Sequence, residues 1–157
     1  MSHEIPIRLL NAPRWMLILG GAGIMFFGQM LWVLFTVWAI GPVPSAANSM
    51  AKYSLGIQLI GGVVVMPFIE TLAGQWLPIQ MVRRLFRSPW WIAGLASVIV
   101  FTVSHGYTGR FAVTILLGAI VLSAIFVIET KRNGRPILCT YLTHAAANSM
   151  VFSLQFL

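Results

Sequence analysis

Residues 55–82 read LGIQLIGGVVVMPFIETLAGQWLPIQMV, an apolar stretch that is long enough to cross a bilayer and carries Glu70 near its middle. The whole chain has only three acidic residues. A carboxylate at membrane depth is costly, so it marks a functional site by default. Two histidines, His105 and His144, lie in two further apolar segments. One acid and two imidazoles, each on a separate segment, form the pattern that a function has to explain.

The composition places the chain in a membrane. Hydrophobic residues make up 59% of its 157 residues and charged residues only 8%, whereas a soluble domain has about 25% charged residues. The apolar runs are continuous and do not alternate, which argues against a β-barrel. We therefore predict an all-α polytopic transmembrane helix bundle, with one domain over residues 1–157 and about five spans of roughly 20 residues each. The predicted spans are Trp15–Ile40, Leu55–Val82, Pro89–His105, Phe111–Thr130 and Ile137–Leu157.

The second span contains residues that disturb a regular helix. Gly61 and Gly62 are adjacent, and Pro67 and Pro78 follow them within the same span. Prolines and paired small residues are the usual causes of helix kinks. We predict that this span is bent or broken.

The net charge of +7 reflects membrane topology, because the basic residues cluster at the ends of apolar runs. Nucleic acid is therefore not an expected partner, and the expected partners are membrane lipids and a membrane-associated peptide or protein. The oligomeric state stays open. The positive-inside rule predicts a cytoplasmic N-terminus and an outside C-terminus, and a bacterial inner membrane is the expected location. One set of helix ends carries Arg8, Arg14, Arg83, Arg84, Arg87, Lys131, Arg132 and Arg135, and the other carries Lys52 and Arg110.

Depth along the helices allows the three polar side chains to meet. With a rise of about 1.5 Å per residue, Glu70, His105 and His144 lie roughly 18, 24 and 13 Å from the predicted cytoplasmic ends of their spans. Tilting of the helices blurs these depths by several ångströms. Asn148 is four residues after His144, so the two side chains share one helix face. A common site in one layer of the membrane is therefore possible.

This set of residues fits several chemistries. A carboxylate in an apolar site can take a proton from water as a general base, and imidazole or amide groups can donate hydrogen bonds to a developing oxyanion. One Glu and two His also match a hydrolytic zinc site with Glu70, His105 and His144 as ligands. The residues alone favour hydrolysis and proton or ion handling about equally as functions, and bis-histidine haem ligation is the third hypothesis. No cofactor is certain, and a divalent metal such as zinc is possible.

Three short motifs resemble those of a known family. The CPBP family, also called the Abi or CAAX-protease family, carries Glu-Glu-x-x-x-Arg, Phe-x-x-x-His and His-x-x-x-Asn/Asp motifs on membrane helices. The present chain has them in the same order, with one span between the second and third. They are the stretches at Glu70–Gln75, Phe101–His105 and His144–Asn148.

The resemblance implies an intramembrane endopeptidase whose catalytic core covers residues 55–157. By that resemblance Glu70 activates water, while His105, His144 and Asn148 hold the oxyanion or a metal, and the family has been described as both metalloprotease and glutamate-type protease. Two positions depart from the pattern, because Thr71 stands in place of the second Glu and Gln75 in place of the Arg. An inactive relative that binds a partner is therefore the alternative expectation.

Overall fold

The computed structural model describes residues 5–42 and 53–156, and within these ranges the chain is helical and contains no strand. Lys52 and most of the connector around it lie outside the described residues. The described helices are α1 (Ile7–Leu10), α2 (Arg14–Ile40), α3 (Leu55–Phe86), α4 (Trp90–Ser104), α5 (Gly109–Lys131) and α6 (Pro136–Ser153), which a 3₁₀ turn (Leu154–Phe156) follows.

Four of these helices, α2, α3, α5 and α6 with its 3₁₀ turn, are long and apolar enough to cross a membrane. The all-α membrane bundle predicted from the sequence is confirmed. The predicted span Pro89–His105 corresponds to α4, which is apolar but has only 15 residues, about 22 Å of helix, so it is shorter than the roughly 30 Å hydrocarbon core. It begins after Pro89 and ends before Gly106, whose positive φ of 67° favours glycine.

Helix α3 is continuous rather than broken, and its irregularity takes the form of two π-helical segments. These are Ile60–Val65 and Thr71–Trp76. Each segment ends two residues before a proline, Pro67 or Pro78. Proline has no N–H, and its ring clashes with the carbonyl four residues earlier in a regular α-helix. The helix adopts a wider π turn before each of the two prolines. Glu70 lies between the two segments.

Close helix contacts depend on small residues. Gly21 on α2 faces α5 and α6, since a Cβ placed there would lie 2.5 Å from Ile125 and 3.0 Å from Thr143. On α4, the carbonyl of Gly94 accepts a buried hydrogen bond of 2.9 Å from Ser123 of α5. Membrane helices associate through such small-residue contacts. The largest buried cluster joins α2, α4, α5 and α6 through Ala22, Met25, Val98, Phe101, Ala119, Leu122 and Ala147.

The helix ends that carry most of the positive charge meet at one end of the bundle, here called the basic end. Glu129, near the end of α5, pairs there with Arg14 at 3.5 Å and with Arg132. A second buried cluster, Ile79, Ala93 and Phe126, joins the adjoining parts of α3, α4 and α5. The other end is the distal end. Arg110 lies there and donates a 2.9 Å hydrogen bond to the carbonyl of Gly41, just after α2.

Candidate active site

Glu70 occupies the last position of a single α-helical stretch, Met66–Glu70, between the two π segments of α3. Its side chain is 23% exposed, so it is only partly covered by protein. Among the described residues, the groups within ion-pair distance of this carboxylate are two imidazoles and no Lys or Arg. The position of Glu70 at a disturbed part of a helix is typical of functional sites, where π turns are frequent.

His105 follows directly after α4 and faces the first carboxylate oxygen. Its Nε2 lies 3.6 Å from Oε1 of Glu70. Its Nδ1 lies 2.7 Å from the carbonyl oxygen of Phe101. Because a carbonyl oxygen only accepts, Nδ1 must carry the proton, and in the neutral ring Nε2 is then an acceptor. The backbone of α4 thus sets the tautomer of His105.

His144, on α6, faces the second oxygen of the same carboxylate. Its Nε2 lies 3.5 Å from Oε2 of Glu70, and its side chain is only 7% exposed. The Nδ1 atom is buried and has no hydrogen-bond partner among the described residues. Both distances are slightly longer than a hydrogen bond, as is common for catalytic groups without substrate. The structure therefore brings together the three side chains that the sequence placed in one layer.

Phe101 holds the two imidazoles in position, and Gly74 makes room for it. The Phe101 ring centroid is 4.6 Å from that of His105 and 5.8 Å from that of His144. A Cβ at Gly74 would lie 2.5 Å from Cδ2 of Phe101. The four-residue spacing in the Phe101–His105 motif puts this ring beside His105, whereas nothing in the sequence near Gly74 signals its contact, because that contact joins two helices.

Asn148 contacts α3 rather than Glu70 directly. Its side-chain amide donates a 2.9 Å hydrogen bond to the carbonyl of Gly62. In a π turn this carbonyl would accept from the N–H five residues later, but that residue is Pro67, which has no N–H. The same solution recurs at the second proline, since Ser97 of α4 donates a buried 2.7 Å hydrogen bond to the carbonyl of Gly74, four residues before Pro78. Neighbouring helices thus satisfy the carbonyls that prolines free in a membrane helix. Asn148 has a second N–H, which this contact leaves for other use.

Thr71 and Gln75, the two departures from the family motif, are both fully buried. The hydroxyl of Thr71 and both amide atoms of Gln75 have no hydrogen-bond partner within the described chain. A single charge at either position would be expensive unless the other position carried its partner. Because both positions are neutral, neither leaves an unpaired buried charge, and neither supplies a charge to the site.

The donor atoms do not form a metal site as they stand. In residues 5–42 and 53–156, no group of three or more His, Cys, Asp or Glu side chains is placed to hold a metal ion. A zinc site would need Glu70, His105 and His144 to bring their donor atoms to about 2.0–2.2 Å from one point. In this arrangement both imidazoles instead face the carboxylate itself.

Residues 52–150 match the family described as "Rce1-like: Type II CAAX prenyl endopeptidase Rce1-like". The chain belongs to this family. The resemblance drawn from the three motifs is thereby confirmed, and the chain is an integral membrane protein of a CAAX-protease-like endopeptidase family. In the same comparisons no curated protein and no solved structure matches.

Proposed function

We propose that this protein is an intramembrane endopeptidase that hydrolyses a peptide bond of a membrane-associated protein or peptide. The observation that carries the proposal is the position of Glu70, whose two carboxylate oxygens face the Nε2 atoms of His105 and His144 at 3.6 and 3.5 Å. Glu70 is partly exposed, so water can reach it. Membership of an endopeptidase family makes peptide hydrolysis the reaction that these groups serve best.

In the proposed reaction Glu70 takes a proton from a water molecule as the oxygen of that water attacks the peptide carbonyl carbon. His105 positions this water, because its Nε2 is an acceptor while Nδ1 donates to Phe101. His144 and the second N–H of Asn148 donate to the oxyanion that forms. Glu70 then passes its proton to the leaving nitrogen, and the C–N bond breaks to give an acid and an amine. General-base catalysis of this kind contributes about 10²–10⁴-fold to a rate.

The neutral residues at the departing positions are compatible with this reaction. Thr71 and Gln75 are both buried, and together they leave no unpaired charge beside Glu70. Neither residue takes part in a catalytic step. The basic end faces the cytoplasm of a bacterial inner membrane in this proposal, in keeping with the positive-inside rule.

Cleavage by purified protein tests the proposal. The protein is reconstituted in lipid vesicles with a set of single-span membrane peptides, and products are identified by mass spectrometry. The wild type should release new termini, and Glu70→Ala should release none. The matched control is Ile69→Ala, since Ile69 is the neighbouring residue and is half exposed on the bundle surface. Equal cleavage by wild type and Glu70→Ala would refute the assignment of Glu70.

The alternative function is that of a catalytically inactive membrane protein that binds a partner, and the neutral Thr71 and Gln75 are the observation that favours it. This alternative predicts no turnover by the wild type and unchanged partner binding in Glu70→Ala. Haem ligation is disfavoured because both Nε2 atoms face one carboxylate, and a colourless preparation excludes it. Proton or ion transport predicts a Glu70-dependent flux across vesicles in which no peptide is cleaved.

A further inference from the structure

The surroundings of Glu70 differ sharply in the two directions along the bundle. Toward the basic end the helices close over one another. Fully buried side chains continue along α3 and α6 in that direction. These residues are Thr71, Gln75 and Ile79 on α3 and Thr140 and Thr143 on α6, with Phe126 of α5 packed beside them. A substrate that came from the basic end through the inside of the bundle would have to displace this layer.

Toward the distal end there is a cavity of about 380 Å³. It adjoins the candidate site through Asn148, one helical turn after His144, and through Tyr107, two residues after His105. Its floor on α3 includes Gly62, whose carbonyl Asn148 binds. The full lining is Gln58, Gly62, Val63, Tyr107, Asn148, Val151, Phe152 and Gln155.

The lining of this distal cavity is polar but uncharged. Four of its side chains carry amide or hydroxyl groups, namely Gln58, Tyr107, Asn148 and Gln155. Neutral donors and acceptors of both kinds match the N–H and C=O groups of an extended polypeptide backbone. A second groove runs from the basic end to the level of Glu70, and apart from Arg135 its lining is almost entirely apolar. The lining residues are Phe68, Arg135, Pro136, Ile137, Leu138 and Tyr141. That groove suits lipid chains, whereas the distal cavity suits peptide groups.

We propose that the distal cavity binds an extended, uncharged polypeptide segment of the substrate beside the scissile bond, so that substrate reaches Glu70 from the end opposite the basic end. This inference rests on the proposed endopeptidase function and adds the direction of entry and the class of segment bound. The bound segment hydrogen-bonds to the amide oxygen of Gln58, whose Nε2 already donates a 2.8 Å hydrogen bond to the carbonyl of Tyr53, and to the side-chain amide of Gln155. Its next carbonyl reaches the layer of His105 and His144.

Two cysteine variants on the same helix test the proposal. In a Cys139→Ala background, Val151→Cys places a thiol in the distal cavity and Leu138→Cys places one in the apolar groove. The two native side chains have similar exposure, 46% and 42%, so the thiols are matched for access. Each variant is reacted with a bulky maleimide, with and without an uncharged membrane peptide that the wild type cleaves. Gln155→Cys replaces Val151→Cys if the latter does not fold.

The expected result is that the peptide slows labelling at position 151 and not at position 138. The adduct at 151 should lower cleavage by about tenfold or more, because even small displacements of a substrate are costly, and the adduct at 138 should leave it near wild type. Protection or inhibition at 138 alone, or at both positions equally, would overturn the proposal. If the wild type cleaves no peptide, the endopeptidase proposal fails first. In that case labelling is repeated with a membrane peptide that is not cleaved. Protection at position 151 would support binding in the distal cavity, and absence of protection there would reject it.

Discussion

Glu70 and Glu129 are two carboxylates on apolar helices with opposite surroundings. Glu129 is fully buried and is paired with Arg14 at 3.5 Å and with Arg132, and it accepts a 2.8 Å hydrogen bond from the backbone N–H of Arg135. Glu70 is partly exposed and faces only the imidazoles of His105 and His144 among the described residues. Full compensation of a buried charge indicates a structural role, whereas an accessible and weakly compensated charge is free to exchange a proton.

The two carboxylates also act on different parts of the bundle. Glu129 ties the start of α2 and the connector before α6 to the end of α5, and Arg132 extends this link with a 2.5 Å hydrogen bond to the carbonyl of Ala12. The basic end is thereby closed. Glu70 lies between the two π turns of α3, and the distal cavity begins about two helical turns away on the same helix, at Gly62 and Val63. The ion pairs of the basic end and the candidate active site thus lie at different levels of the same bundle.

The largest expected stability effect in this comparison comes from Glu129→Gln. It removes a fully buried carboxylate and leaves the guanidinium of Arg132, whose side chain is only 13% exposed, without its partner. Breaking such a mostly buried pair costs about 3–5 kcal/mol. Unfolding of the purified protein in detergent micelles, followed by intrinsic fluorescence, measures the loss. Arg14→Gln is the milder control, because the Arg14 side chain is 51% exposed. A Glu129→Gln protein as stable as wild type would break the distinction between the two carboxylates.

Gly74→Val tests whether the surroundings of Glu70 depend on the position of Phe101. The added side chain meets the ring of Phe101, which contacts both imidazoles, and overpacking of this kind costs about 1–3 kcal/mol. The cleavage rate should fall by more than the loss of folded protein accounts for, since the imidazoles move with the ring. The control is Gly23→Val, because a Cβ at Gly23 has no neighbour within 4 Å. Equal cleavage by the two variants would show that Phe101 does not position the site.

The smallest expected effect is that of Ser97→Ala. Loss of the hydrogen bond from Ser97 to the carbonyl of Gly74 leaves this buried group unpaired, which costs about 1–3 kcal/mol at most. The matched variant is Ser104→Ala, whose hydroxyl binds the carbonyl of Phe101 within its own helix and should matter less. Unfolding of the two proteins in micelles measures the difference. The same stability for both would mean that the carbonyl before Pro78 needs no partner from α4.

The sequence allowed prediction of the helical membrane bundle and of the three side chains that meet at the candidate site. Regular helix rise and motif spacing were enough to place Glu70, His105 and His144 in one layer. The pairing of Glu129 was not foreseen, because Arg14 is far away in sequence and contacts it only once the helices pack. The bend predicted for α3 proved to be two π turns, since the partners that satisfy the freed carbonyls, Asn148 and Ser97, come from other helices.

The cleavage rate of Glu70→Gln, measured in vesicles on equal amounts of folded protein, tests the central claim most directly. The amide keeps the size of the side chain but cannot take a proton from water, so the rate should fall by about 10²–10⁴-fold. Unfolding in micelles should show a stability equal to or above that of wild type, in contrast to Glu129→Gln. A Glu70→Gln protein that cleaves within about twofold of the wild-type rate would contradict the account, because a general base cannot be dispensable.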